Sequence, residues 1–200
     1  MTEALCICVA YLLGSIPFGY LAGRARGIDI RTVGSRNIGT TNVFRTLGSR
    51  WGAAVLVADV GKGLAAVLIA SALVDDPWPL AAAGAAVVGH LAPAWLRFRG
   101  GKGVAVAAGA LIGLMPLVTA TLVLLWVALV VATRYVSLAS ITAALAFTPL
   151  AWALGHDLPD VVFAGVVSAL VLVRHRANLA RLVRGQELRI ELPRAAPRGR

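Results

Sequence analysis

Apolar residues run through this chain in long blocks, at roughly residues 4–23, 51–74, 79–96, 103–133, 136–154 and 159–173, separated by short polar segments. Such blocks show neither the two-residue alternation of a half-buried strand nor the polar stripe of a surface helix. A helix needs about 20 apolar residues to cross a bilayer, with a range near 17–25. The pattern predicts an all-α integral membrane protein. The fourth block is too long for one span and short for two, and Met115-Pro116 near its middle predicts a kink or a turn.

Charge decides how that block is divided. Taken as two helices, it gives seven transmembrane helices with the N-terminus outside and the C-terminus cytoplasmic. The inward loops then hold Arg24, Arg26, Arg31, Arg36, Arg45 and Arg50, next Arg97, Arg99 and Lys102, and next Arg134, and the basic tail follows from Arg174. The outward loops hold Asp75, Asp76, Asp157 and Asp160 and no Lys or Arg. Taken as one helix, the block would move Arg134 and the whole basic tail outside, against the cytoplasmic preference of Lys and Arg. Seven spans are expected, with residues 1–191 as one membrane-integral domain and a disordered Pro/Arg tail over 192–200. The stretch from Val104 to Leu114 is a short span, one that starts inside its loop or lies where the bilayer is thin.

Composition agrees. The chain is 59% hydrophobic with a mean hydropathy of +0.83, and its 14% charged residues are about half the usual share of a soluble domain. A formal net charge of +10 raises the question of nucleic acid. The aromatics, however, stand in apolar blocks or singly in loops, without the stacking ladder that single-strand binding uses. No nucleic-acid partner is expected. Cys6 and Cys8 have no second pair to complete a zinc site or disulfide framework, so they read as small helix side chains. No metal and no cofactor are expected. The Met-Thr-Glu start lacks the basic region of a signal peptide, so the first block is expected to be retained.

The polar segments carry the chemistry. Gly34-Ser35-Arg36-Asn37-Ile38-Gly39-Thr40-Thr41-Asn42-Val43-Phe44-Arg45 combines glycines that let amides approach an anion, hydroxyls, two side-chain amides and an arginine able to grip two phosphate oxygens. A second segment runs from Gly89-His90 to Gly100-Gly101-Lys102-Gly103, whose glycine turn leads directly into an apolar helix, an arrangement suited to anions. It is not a Walker A loop, since no Gly stands five before the Lys and no Ser or Thr follows it. His90 can be read as a general base or as a packed, satisfied histidine. In the third segment, His175 to Glu187, the three-residue spacing of His175, Asn178 and Arg181 puts them on one helix face. The seven-span topology places all these segments on the cytoplasmic side. Within the second block Asp59 and Lys62, three apart, can pair as a structural ion pair or mark a functional site.

These segments resemble the bacterial acylphosphate:glycerol-3-phosphate acyltransferases. That family carries G-S-x-N-x-G-A-T-N-x-x-R, then G-H-x-x-P-x-x-x-x-F-K-G-G-K-G-x-A-T, then H-R-x-N-I-x-R-L-L-x-G-x-E. The present chain has GSRNIGTTNVFR, GHLAPAWLRFRGGKGVAV and HRANLARLVRGQE in the same order, and the resemblance runs from about residue 11 to 187. Thr40, Arg99, Val106 and Leu179 depart from the pattern, and Val106 removes a hydroxyl just past the glycine turn. The resemblance implies seven spans with the N-terminus outside. It implies transfer of a fatty acyl group from acyl-phosphate to the sn-1 hydroxyl of glycerol 3-phosphate, giving lysophosphatidic acid and phosphate, the first step of phospholipid synthesis. It further implies a multi-pass protein of the cytoplasmic (inner) membrane, with the active site on its cytoplasmic face, and a monomer is expected.

By matching position, Ser35, Arg45, Lys102, Asn178 and Glu187 are the implied catalytic residues. Asn37, Thr41, Asn42, His90, Gly101, Gly103, Ser137 and His175 are the implied substrate- or phosphate-binding residues. Thr41 and the Gly101-Lys102-Gly103 turn are assigned to a phosphate, Ser35, Arg45 and His175 to the glycerol phosphate, and Glu187 to orienting Arg or Asn side chains. The His-x4-Asp pair of other membrane glycerolipid acyltransferases is absent: Trp95, Val161 and Ala180 stand five after His90, His156 and His175. Direct attack by the glycerol hydroxyl without an acyl-enzyme is therefore expected, with the substrate phosphate taking the proton. A transporter for a phosphorylated anion is the competing class. Transporters place broken helices at the midplane and show inverted repeats, whereas the only echo here is Gly61-Lys62-Gly63-Leu64-Ala65 against Gly101-Lys102-Gly103-Val104-Ala105.

Overall fold

The computed structural model describes residues 1–190, and the tail expected over 192–200 lies outside the described residues. Every regular element among them is helical. In chain order these are α1 (Thr2–Ser15), α2 (Phe18–Ala25), α3 (Thr40–Leu47), α4 (Ser49–Leu73), α5 (Trp78–Leu91), α6 (Val104–Leu114), α7 (Pro116–Thr133), α8 (Val136–Ala153), α9 (Leu158–Arg174) and α10 (Arg176–Val183), with one 3-10 turn over Ala94–Leu96.

Five segments are long and apolar enough to cross a bilayer: α1 with α2, α4, α5 with its 3-10 turn, α7 and α8. Helices α9 and α10 make a sixth if the pair, bent by 58°, is one span. The fourth apolar block is indeed two helices. Met115 leaves the helical region and Pro116, which has no amide hydrogen to lose, opens α7.

Helix α4 is the hub, packed by α1, α2, α3, α5 and α6, while α7, α8 and α9 stack beside one another and α5 touches α9. The closest crossings need small residues. Gly14 and Gly89 lie against opposing backbone where α1 meets α5, and Gly63 and Gly109 do so where α4 meets α6. In lipid, where apolar surface gains nothing by leaving the solvent, such close backbone approach is a main source of helix association. Ala86, Val87, Leu111, Met115, Val118 and Phe147 lie in the main core beneath. Val106 is fully buried in the same core, so its position is absorbed by packing.

The Asp59–Lys62 pair pins three elements together. The Lys62 ammonium meets Asp59 Oδ1 at 2.8 Å, donates to the Ile16 carbonyl at 2.7 Å, and lies 3.1 Å from His90 Nδ1. The Ile16 carbonyl is exposed to it because Pro17 breaks α1 from α2. Three acceptors around one ammonium satisfy a charge that would otherwise be costly in this interior. The echo between residues 61–65 and 101–105 has no structural counterpart, since Lys62 sits mid-helix and Lys102 in a loop.

Candidate active site

The three polar segments converge at one end of the bundle. In the first, Asn42 organises the loop. The two N–H groups of its Nδ2 are shared among the carbonyls of Ile30, Val33 and Asn37, at 3.0, 3.1 and 2.9 Å, and its Oδ1 accepts the Ser35 amide at 2.8 Å. Asn37 Oδ1 takes the Gly39 amide at 2.8 Å, closing the turn that starts α3. Both polar atoms of the buried Asn42 amide are thus engaged with backbone. Ser35 is the residue held by this scaffold, and Thr41 and Arg45 project from α3.

In the second segment, the amides of Gly100 and Gly101 donate to the carbonyls of Leu91 and His90 at 3.1 and 3.0 Å. The Gly101 amide is therefore not free for a phosphate. The amides left for an anion are those of Lys102, Gly103 and the first turn of α6, the unpaired donors of any helix start. Gly103 caps α6 at φ +84, a left-handed conformation that glycine adopts at little cost. Gly101 is small for a different reason, because its α-carbon lies against the His90 ring, where any Cβ would collide with Nε2. With Nδ1 facing the Lys62 ammonium, His90 packs as a buried support for the turn rather than an open base. Gly101→Ala is expected to lower acyl transfer by at least about 10-fold, the scale on which small misplacements of reacting groups act. Retention of wild-type kcat/KM would show the turn tolerates displacement.

The third segment is tied down by Glu187, whose side chain is only 4% exposed. Its Oε1 accepts Ser137 Oγ at 2.9 Å and Asn178 Nδ2 at 2.6 Å, and its Oε2 accepts Arg181 Nε at 2.7 Å. Burial alone would raise the Glu187 pKa. The bonds from Asn178, Arg181 and Ser137 outweigh it and hold the carboxyl below 4.5. Arg45 Nη2 donates to the Leu188 carbonyl at 2.8 Å, and the Ile190 amide to the Arg134 carbonyl at 2.9 Å, so residues 187–190 bridge α3 to the α7–α8 turn. His175 Nδ1 lies 2.8 Å from the Val171 carbonyl. A carbonyl only accepts, so Nδ1 carries the hydrogen and Nε2 is an acceptor. Burial and the nearby Lys102 push His175 down to about 4, leaving the ring neutral.

The charge balance at this end favours an anion. Lys102 is pushed down to about 8, first by burial and then, against the pull of Glu187, by Arg181, Arg45 and Arg174. Arg45 is also lowered by burial, and its Nε, like the Thr40 hydroxyl, is buried without a hydrogen-bond partner. Four cations around one carboxylate, with unused donors, form a site whose repulsion a bound phosphate relieves. The sequence-implied residues Arg45, Lys102, Ser137, His175, Asn178 and Glu187 gather here. Arg174 was not among them, although its Nε donates to the Gly101 carbonyl at 3.0 Å and its Nη2 to the Gly100 carbonyl at 2.6 Å. Nothing in spacing marks it, because an arginine ending an apolar helix is what any cytoplasmic helix end displays.

A bundle of long apolar helices with a cationic end built from three polar segments fits a membrane-embedded protein that handles phosphorylated molecules. The family model described as glycerol-3-phosphate acyltransferase matches residues 4–185. Glycerol-3-phosphate acyltransferases of Rubrobacter xylanophilus and Desulforudis audaxviator are 49% and 50% identical over 189 and 187 residues. They cover 94% and 92% of this chain, which spans 94% of each relative. The crystal structure of PlsY (YgiH), an integral membrane glycerol 3-phosphate acyltransferase, in its glycerol 3-phosphate form superposes with a TM-score of 0.91 at 39% identity, covering 96% of both chains. Its lysophosphatidic acid form gives 0.88 at 38% identity. The chain belongs to the glycerol-3-phosphate acyltransferase family. It is a multi-pass membrane enzyme of phospholipid biosynthesis that acylates glycerol 3-phosphate.

Proposed function

We propose that the chain takes its acyl group from acyl-phosphate and delivers it to the sn-1 hydroxyl of glycerol 3-phosphate, releasing lysophosphatidic acid and inorganic phosphate. The observation that carries this reading is the cationic end just described, where Arg45 Nε is buried without a partner and the half-buried Lys102 lies among Arg45, Arg174 and Arg181. Two phosphate-bearing substrates call for such a site. Lys102, Thr41 and the free amides at the start of α6 hold one phosphate, and Ser35, Arg45 and His175 the glycerol phosphate. An apolar hollow among α6, α7, α8 and α9, lined by Val104, Ala107, Leu122, Trp126 and Phe147, begins one residue past the glycine turn and suits the acyl chain.

The glycerol hydroxyl oxygen attacks the acyl carbonyl carbon, the bond from that carbon to the phosphate oxygen breaks, and phosphate departs with the electron pair. His175 Nε2 orients the hydroxyl. Its low basicity makes it a poor proton sink, so the proton goes to substrate phosphate and no acyl-enzyme forms. Positioning an already activated donor supplies much of the rate enhancement. Asn178, Ser137 and Glu187 hold Arg181 and the Arg45 segment in place.

Residues 1–191 act as one monomeric unit that crosses the cytoplasmic membrane seven times, N-terminus outside and site inside. Helix α6 has eleven residues, about 16 Å at 1.5 Å per residue, so it is shorter than a full span. It still counts as a pass, because the chain leaves the glycine turn through α6 and returns through α7 to Arg134, whose carbonyl meets Ile190 at the site end. Purified protein in nanodiscs is expected to release one phosphate per sn-1 lysophosphatidic acid from acyl-phosphate, with no product from acyl-CoA or acyl carrier protein. Equal rates from a thioester donor would reject acyl-phosphate as the donor, and a covalently acylated protein would reject direct attack.

A further inference from the structure

We propose that Arg174 is a positioning residue, holding the Gly100–Gly101 turn from its carbonyl side and thereby setting where Lys102 and the free amides of α6 stand. The inference rests on the reading of Lys102 as a phosphate-holding residue.

Gly100 and Gly101, the two residues before Lys102, are fixed on both sides. Their amides are bound by the carbonyls of Leu91 and His90 at the end of α5. Their carbonyls are bound by one guanidinium, at 3.0 Å from Arg174 Nε to Gly101 and 2.6 Å from Nη2 to Gly100. The planar guanidinium presents two N–H groups in a rigid fork, which matches two successive carbonyls as it matches a carboxylate. An arginine serving only to place charge at the membrane surface would extend toward headgroups. Arg174 instead folds back onto the turn, and no carboxylate pairs with it among the described residues. Behind the turn the His90 ring abuts Gly101 and is itself fixed by Lys62, so the turn is gripped between α5 and α9. Arg174 also closes α9 immediately before His175. The helix that carries the third segment thus sets the geometry of the second.

The groups facing Lys102 are Arg45 on α3, Arg174 on α9, His175 at the α9–α10 bend, Arg181 on α10, and Glu187 beyond it. Removing Arg174 deletes one of the cations that lower Lys102 and opens the turn to water. Both changes raise the pH at which Lys102 loses its proton.

The test compares Arg174→Ala, Arg174→Lys and Arg174→Gln with Lys102→Ala and the double variant R174A/K102A, all purified and checked by size exclusion and thermal melting. For R174A the KM of a phosphate-bearing substrate is expected to rise about 10- to 100-fold, with the alkaline limb of kcat/KM moved to higher pH. R174K, a single point of charge, recovers part of the loss. Adding R174A to K102A costs little more, because Arg174 acts through Lys102. Wild-type KM and alkaline limb in R174A, or a loss fully additive with K102A, overturn the proposal. Wild-type activity in K102A sinks the Lys102 reading instead, a separate outcome. Should R174A fail to purify, R174K and R174Q decide by the same KM and pH readouts.

Discussion

Replacing Lys102 with alanine is expected to lower kcat/KM for acyl transfer by about 10²- to 10³-fold, the scale on which loss of a preorganised charge acts, while the protein still inserts and purifies. Lys102 stands at the start of α6 beside the unpaired amides of that helix, so its ammonium and those dipoles act on the same anion. Its charge is also the one in the site that ordinary pH can remove. The pKa lies at about 8, lowered from 10.5 by burial and by the arginines around it. Below about pH 8 the ammonium is present. Above it, kcat/KM should fall about tenfold per unit as the cation is lost.

Stability moves the other way. Because the folded pKa lies below the unfolded one, the unfolded chain binds more protons between about 8 and 10.5, and folding gains from this group as pH rises through that window. An alkaline loss of rate without a drop in melting temperature would therefore identify Lys102 rather than unfolding. A pH-rate limb unchanged in Lys102→Arg, whose side chain keeps its charge at those pH values, would refute the assignment.

Much of this was legible in the chain, and the reasons differ by element. The apolar blocks gave the helices because a lipid-facing helix needs little more than length and hydropathy. Met115-Pro116 became a helix break because Pro116 lacks the amide hydrogen a helix interior uses and suits a first helical position, although α8 carries Pro149 within it. What stayed hidden was the role of polar groups whose partners are distant in sequence. Asp59 and Lys62 could be paired from their spacing, but the Ile16 carbonyl and His90 that complete the cluster come from the α1–α2 break and from α5. The break between α1 and α2 lay inside a block that read as continuous. The backbone bonds of Asn42 were hidden too, because an amide in a hydroxyl-rich loop carries the same donors whether they meet a ligand or the loop's own carbonyls. Arg174 was indistinguishable from the other inward arginines until its two carbonyl partners were in view.

Replacing Glu187 with alanine is expected to cost about 3 kcal/mol of stability, the scale for removing one member of a buried, charge-assisted network, and to abolish most activity with it. The carboxylate, on the segment that follows α10, is the common acceptor for α8 and α10, through Ser137 on the first and Asn178 and Arg181 on the second. Without it those donors are left facing one another, and residues 187–190 lose the anchor that lets Leu188 hold Arg45. Glu187→Gln preserves the shape but sets an amide N–H against existing donors, so it should lie between wild type and alanine. The carboxyl is held below 4.5, so its contribution to stability is present above that pH and disappears as pH falls through the folded value. Thermal melting in detergent should accordingly show wild type losing its advantage over Glu187→Gln at the acid end, with the two curves converging. Curves that stay parallel from pH 3 to 7 would mean that the charge of Glu187 does not hold the network. Alanine at Ser137 or Asn178 should then add less to Glu187→Ala than either costs alone, because both donors act through the same oxygen, Oε1.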